Sequence, residues 1–186
     1  MPLNTQKTAI VTSAARGIGL ATAKLFLKEG WRVAMVDQDA EELSAATADL
    51  DSVIALNLDI ASPKNAQAMR RYTLSAFGHI DALVNNAGVA DFSPIEDTTY
   101  ERWREVMATN LDGIFLCVQA AIPALKETQA QSLTSGAFRA FVHPRCGLPM
   151  APRKWQLFIS HSNRPPDWAN LVCGLTASHR DRYGRN

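Results

Sequence analysis

Gly17 and Gly19 stand two residues apart, just after a short apolar run, Ala9 to Val11, and an amphipathic pattern begins at Ile18. Strand, glycine turn and helix in that order bring a helix N-terminus, with its unpaired N–H groups and positive dipole end, up to a pyrophosphate. Glycine at both positions lets the backbone approach the phosphates and the helix pack close to the sheet. Taken alone, the pair is equally a turn before a core helix. Asp37 lies 18 residues after Gly19, at the end of a second apolar run. A carboxylate there can accept hydrogen bonds from both hydroxyls of an adenosine ribose and repel a 2′-phosphate, which favours NAD over NADP. Arg16 is the counterweight, since a cation beside the glycines could meet that phosphate. On its own, Asp37 is also a solvated strand-end acid.

The elements that must position these residues are legible in the hydrophobic pattern. Strands are expected over 7–12, over 32–36 ending in Asp37, over 53–58 and over 81–84. Helices are expected over 17–28, with Ile18, Ala21, Leu25 and Phe26 facing inward and Gly30 closing it, and over 39–50, with Leu43, Ala46 and Leu50 spaced for burial. Ser62-Pro63 should cap a helix that runs to Phe77 and stops at Gly78. A long helix should start at Thr98 or Thr99 and run to about Leu125, bent if Pro123 lies inside it. Alternating strands and helices imply parallel βαβ units with right-handed crossovers. The fold class is therefore α/β: a Rossmann-like doubly wound parallel sheet, incomplete, with about four recognisable strands. No fifth strand is legible after the long helix, so the fourth would be an open edge. Leu157-Phe-Ile159 is the only later run that could be a strand.

Composition bounds the remaining readings. The chain has 186 residues, 47% of them apolar, and a net charge of +1. That is one domain with material for a core, and no global charge suited to nucleic acid or an acidic membrane. No run approaches the ~20 apolar residues of a spanning helix, and the first seven residues lack the apolar core of a signal peptide. Cys117, Cys146 and Cys173 are odd in number and widely spaced, which points to reduced thiols and a cytoplasmic protein. The average conceals a break. Residues 1–126 carry 11 Lys+Arg against 15 Asp+Glu, whereas residues 127–186 carry 8 against 3 and five of the nine prolines. The chain thus divides into a nucleotide-binding domain over 1–126 and an irregular tail over 127–186. Trp155, Trp168 and the tail arginines form no periodic face of a nucleic-acid module. His143, His161 and His179 are too far apart for a metal site, even with the tail cysteines as extra candidates.

Thr12-Ser-Ala-Ala-Arg-Gly-Ile-Gly19, Asp37, Asp59-Ile60, Asn85-Asn-Ala-Gly88 and Asn110 together resemble the short-chain dehydrogenase/reductase family, over roughly residues 5–126. The resemblance implies hydride transfer between a nicotinamide and a small-molecule alcohol or carbonyl. It implies a cofactor bound by Thr12, Ser13, Arg16, Gly17, Ile18 and Gly19, with Asp37 on the ribose and Asp59 and Ile60 on the adenine. Asn86, Ala87 and Gly88 would line the nicotinamide side, and Asn110 would open its helix locally and hold a water in a proton relay. Intact members are often homo-oligomers built through the helix around Asn110. Two departures stand out. Ser13 replaces a customary glycine, at about 1 kcal/mol if the position needs positive φ. More seriously, the family's proton donor is a tyrosine with a lysine four residues later, and none of Tyr72, Tyr100 and Tyr183 has one. The family's serine, expected after a fifth strand, is missing too. Negligible turnover is expected, because proton transfer by a positioned acid is typically worth ~10²–10⁴ in rate.

The tail reads differently in another frame. Its seven arginines to one lysine are typical of out-of-frame G/C-rich coding sequence. Shifted by two nucleotides, the codons for Pro149-Met-Ala-Pro-Arg-Lys-Trp-Gln156 permit Tyr-Gly-Ala-Ser-Lys-Met-Ala. Those for residues 131–137 permit Ile-Ala-Asn-Ile-Gly-Ser, a fifth strand and its serine. A frameshift between about codons 126 and 131 is therefore expected, with a natural divergent C-terminus as the rival. A catalytically inactive nucleotide-binding fragment is the alternative functional reading.

Overall fold

The structure, a computed structural model, describes residues 6–128 and the backbone of two later strands, 131–134 and 157–159. The expectations for Cys146, Cys173, the three tail histidines and the tail tryptophans lie outside the described residues. In chain order the elements are β1 Thr8–Thr12, α1 Gly17–Lys28, β2 Arg32–Asp37, α2 Ala40–Thr47, β3 Val53–Asn57, α3 Pro63–Phe77 and β4 Ala82–Asn85. After a short 3-10 turn at Ile95–Asp97 come α4 Tyr100–Met107, a π-helical turn Ala108–Asp112, α5 Gly113–Glu127, β5 Gln131–Thr134 and β6 Leu157–Ile159.

The strands form one sheet in the order β3-β2-β1-β4-β5-β6, parallel throughout except for the β5–β6 pair. The chain winds outward from β1 to β3 and then returns to the other side of β1 with β4. That reversal opens a crevice at the carboxyl ends of β1 and β4, where open α/β sheets bind ligands. β1 is buried on both faces, as a central parallel strand must be. Alternate residues feed two cores. Val11, Val33 and Met35 pack with Phe26 of α1 and Leu43 of α2, and Ile10, Val36 and Leu83 pack with Met69 of α3 and Cys117 and Ala121 of α5.

The amino ends of the strands are closed by a polar knot. Arg32 is 9% exposed, and its Nη2 donates to the carbonyls of Gln6 (3.2 Å) and Phe77 (2.8 Å) and to the Thr8 hydroxyl (3.1 Å). Its guanidinium lies 4.9 Å over the Phe77 ring. The Asp81 carboxylate accepts from the Thr8 N–H at 2.7 Å and pairs with His79 at 3.1 Å.

Four expectations need correction. A strand does lie beside β4, because the peptide groups of Gln131–Thr134 complete the ladder that β4 leaves open, although the run lacks apolar alternation. β4 is therefore not an edge. Ile18 is exposed and Ala21 and Leu25 are only half-buried; α1 buries Gly19, Thr22 and Ala23 together with the expected Phe26. Ser62 occupies the cap position of α3, but its side chain makes no capping hydrogen bond; its carbonyl starts the helix. Finally, the 28-residue stretch Tyr100–Glu127 contains an 18-residue window of mean hydropathy 1.4, which by length and composition alone is enough to cross a membrane. Asn110, Asp112 and Gln119 interrupt it, so the sequence shows no unbroken apolar run of that length. Its buried side carries Val106, Cys117, Ala120, Ala121, Ala124 and Leu125, which is the placement of a core helix. Regular α geometry breaks at Ala108–Asp112, while α5 continues past Pro123 to Glu127.

Candidate functional site

At the carboxyl ends of the strands lies a cleft of about 540 Å³. Its walls include Ser13 and Arg16 from the glycine turn, Asp37 and Asp39 after β2, Asp59 and Ile60 after β3, and Ala87, Gly88 and Val89 after β4. Seven of the residues expected to bind a cofactor therefore line one space. Thr12, Gly17, Ile18, Gly19, Asn86 and Asn110 are not among the lining residues; several of them build the walls from behind.

The glycine turn carries a geometric constraint at each step. Ser13 has φ of 50° and Gly17 of 57°, the left-handed region that side chains adopt at a cost of about 1–2 kcal/mol. Around Gly17 a Cβ would meet nothing within 4 Å, so the space over the start of α1 is open. At Gly19 the reverse holds: a Cβ would lie 1.9 Å from the Ser13 carbonyl oxygen. Glycine at 17 serves the backbone angle, and at 19 it lets the helix pass against the turn. Thr12 is fully buried. Its hydroxyl accepts from the N–H groups of Asn86 (2.9 Å) and Ala87 (3.0 Å), tying the end of β1 to the loop after β4. The Asn86 amide donates to the carbonyls of Thr12 and Ser13.

Asp37 is held by two backbone donors, one per oxygen: Ala15 N–H at 3.1 Å and Asp39 N–H at 3.1 Å. An ionised carboxylate has about four accepting positions, so both oxygens can still accept from a ligand. Asn57 donates to the carbonyls of Asp37 (3.1 Å) and Gln38 (2.9 Å), fixing the β2 exit against β3. Asp59 accepts from the Ala61 N–H at 2.9 Å. Ile60 is buried against α5, where a Cβ on Gly113 would lie 2.8 Å from its Cδ1.

Asn110 sits in the π turn, where the Gly113 N–H reaches back to the Ala108 carbonyl. Its side-chain oxygen accepts from the Val89 N–H at 2.9 Å, and its side-chain nitrogen donates to the Val89 carbonyl at 2.8 Å. The amide thus clips the cleft loop after β4 onto the long helix. The next stretch of that loop is fixed by Asp91, which accepts from the Ser93 N–H at 2.9 Å and from Arg102 Nε at 2.8 Å. Ser93 and then Arg102 hold the Asp91 carboxyl below its ordinary pKa. Cys117 lies in the core and is not among the cleft-lining residues, and burial pushes its thiol up to about 12.

Sequence reasoning missed Asp39, Glu41, Val89 and Thr109 in the walls, and Glu42 beside them. Asp39 and Glu42 did carry a signal. Asp39-x-x-Glu42 is a capping-box spacing, and the Asp39 carboxylate accepts from the Glu42 N–H at 3.1 Å.

A parallel sheet with a topological switch, a glycine turn opening α1 and an acid after β2 define a Rossmann-like α/β protein. The model of the short chain dehydrogenase family matches residues 7–133, and the chain belongs to that family. The short chain dehydrogenase/reductase dpmpG of Macrophomina phaseolina is 34% identical over 157 residues, covering 78% of this chain and 90% of that protein. Other curated relatives are longer, and the chain spans about half their length. Among solved structures, a 3-ketoacyl-(acyl-carrier-protein) reductase from Brucella melitensis, complexed with NADH, superposes with a TM-score of 0.64 at 32% identity. It covers 66% of this chain and 52% of that one. An alcohol dehydrogenase from the archaeon Thermococcus sibiricus, complexed with 5-hydroxy-NADP, gives 0.67 at 28% identity, covering 69% and 57%. The family is one of oxidoreductases, and its solved relatives include complexes with NADH and with an NADP derivative.

Proposed function

We propose that this chain is the NAD-binding part of a short-chain dehydrogenase/reductase oxidoreductase acting on a small-molecule alcohol or carbonyl compound. The carrying observation is Asp37, held at the exit of β2 with accepting capacity to spare and facing the same cleft as the glycine turn. The residues fit the cofactor. The open space over Gly17, at the start of α1, suits a pyrophosphate. Asp37 accepts from the adenosine ribose and disfavours a 2′-phosphate, Asp59 and the backbone at Ile60 border the adenine, and Ala87 and Gly88 flank the nicotinamide side. Thr12, Gly19 and Asn86 hold those walls in place. NAD, when bound, supplies the hydride acceptor or donor.

Asn110 is a positioning residue in this reading. Its amide is committed to Val89, so a relay water would be held by backbone groups that the π turn loosens, not by its side chain. The chain as written contains no Tyr-x-x-x-Lys, and the long helix is followed by a tail in which the out-of-frame reading accounts for its arginines. Binding without turnover is the expected behaviour, and an inactive nucleotide-binding fragment is the second reading. A cytoplasmic location and, for an intact relative of full length, assembly of identical subunits belong to the same proposal.

Calorimetric titration of the full chain tests the proposal. NAD should bind, and Asp37→Ala should weaken NAD more than NADP. Because Asp37 also holds two backbone N–H groups, the ratio of the two affinities is the informative number; equal loss of both would contradict the ribose assignment. Sequencing the coding DNA across codons 124–132 decides the tail. A one- or two-base difference restores an ordinary dehydrogenase, and an unchanged frame leaves the fragment.

A further inference from the structure

The cation of the glycine turn is not free. Arg16 Nη1 lies 2.7 Å from Glu42 Oε2, bridging α1 and the first turn of α2 beside the adenosine end of the cleft. Glu42 is available for this because its usual local task is already filled. In a complete capping box the Glu42 carboxylate would reach back to the Asp39 N–H. Here Asp37 accepts from that N–H at 3.1 Å, and only the other half of the box, Glu42 N–H to Asp39, is made. The displaced carboxylate crosses to Arg16. Both partners stay solvated, with side chains 70% and 44% exposed, so the pair can be exchanged for another anion without a burial penalty.

We infer that Glu42 is a cofactor-selectivity residue: it holds Arg16 in an internal ion pair and so withholds that guanidinium from a 2′-phosphate on the adenosine ribose. This rests on the NAD-binding reading above. Asp37 sets the preference by direct repulsion, and Glu42 reinforces it by occupying Arg16, the one cation suited to phosphate among the described lining residues. The hydrogen bond that Arg16 donates to Glu42, the Glu42 charge, and the charges of Asp39 and Asp37 all raise the Arg16 pKa, consistent with a cation surrounded by carboxylates.

The test uses the full chain and two probes of the adenosine end, 5′-AMP and adenosine 2′,5′-bisphosphate, with NAD as reference, all by calorimetry. Glu42→Gln should raise affinity for the bisphosphate about two- to fivefold, the range that an exposed ion pair contributes, and leave 5′-AMP and NAD nearly unchanged. Glu41→Gln removes the same charge from the same mouth without touching Arg16, and should shift the ratio less. In an Arg16→Gln background, Glu42→Gln should shift it little. An equal effect of Glu41→Gln, an effect that persists without Arg16, or no effect while the parent binds NAD would overturn the role of Glu42 alone. A parent chain that binds neither NAD nor AMP would overturn the NAD-binding reading, and this inference with it.

Discussion

The two ends of the sheet use the same kinds of side chain for opposite purposes. At the amino ends, Arg32, Thr8, Asp81 and His79 meet one another or nearby backbone, and the arginine is 9% exposed. At the carboxyl ends, Asp37, Asp39, Asp59 and Arg16 line a cleft, and the arginine side chain is 70% exposed. Removing a buried donor strands its acceptors at about 1–3 kcal/mol, whereas an exposed pair is worth under about 1 kcal/mol. The closed end therefore holds the fold, and the open end keeps its polar groups available to a ligand. The difference lies in solvent access and not in residue type.

The largest effect that sharpens this contrast should come from Arg32→Met. It leaves the Gln6 and Phe77 carbonyls and the Thr8 hydroxyl without this donor, and we expect about 3 kcal/mol of lost stability in urea unfolding. NAD affinity of the folded fraction should stay as it was; a stable variant with weakened binding would break the division between the two ends. Gly19→Ala comes next and should couple the ends. With a Cβ 1.9 Å from the Ser13 carbonyl, the turn must shift, costing about 2 kcal/mol and at least tenfold in NAD affinity. Unchanged binding in calorimetry would mean that the turn geometry is dispensable to the cleft.

Cys117 offers a control that belongs to neither end. Burial raises its thiol pKa from 9.0 to about 12, so below pH 9 it is protonated in both folded and unfolded chains. Between pH 9 and 12 the unfolded chain loses that proton and the folded chain does not. Stability should then fall with rising pH, by up to about 1.4 kcal/mol per unit from this group. Unfolding curves of Cys117→Ala and the parent, compared from pH 8 to 11, should diverge in that sense only above pH 9. The smallest effect is expected at Ser13→Gly. Relief of the positive φ, about 1 kcal/mol, is partly offset by the greater freedom of glycine in the unfolded chain. A net gain near 0.5 kcal/mol in urea unfolding is expected, and a loss would show that the Ser13 side chain contributes contacts of its own.

Much of the fold was readable because its causes are local. β2, α1 and α3 fall where the apolar period, Pro63 and Gly78 place them, and Gly78 closes α3 with φ of 86°. β5 was not readable. Gln131-Ser-Leu-Thr134 has no alternation, and it becomes a strand by completing the β4 ladder. Ile18 was misread because helical period alone cannot say which stripe meets the sheet; the close approach at Gly19 sets that rotation. Half of the candidate cleft was legible through Asp37, Asp59 and the glycine turn. Glu42 was not, since its carboxylate follows from Asp37 taking the Asp39 N–H first.

By itself the amino-acid sequence determined the order of the elements up to α5, the parallel character of the first four strands and the placement of an acid and a glycine turn at strand ends. Those depend on periodicity, capping and backbone freedom within a few residues. It also determined that no Tyr-x-x-x-Lys exists in this chain. Only the tertiary structure decided that Arg16 pairs with Glu42, that Arg32 is buried on Thr8 and Phe77, and that the Asn110 amide closes on Val89. Each of those contacts joins residues about 20 to 45 positions apart. Their geometry is set by strand register and helix packing, which no local pattern encodes.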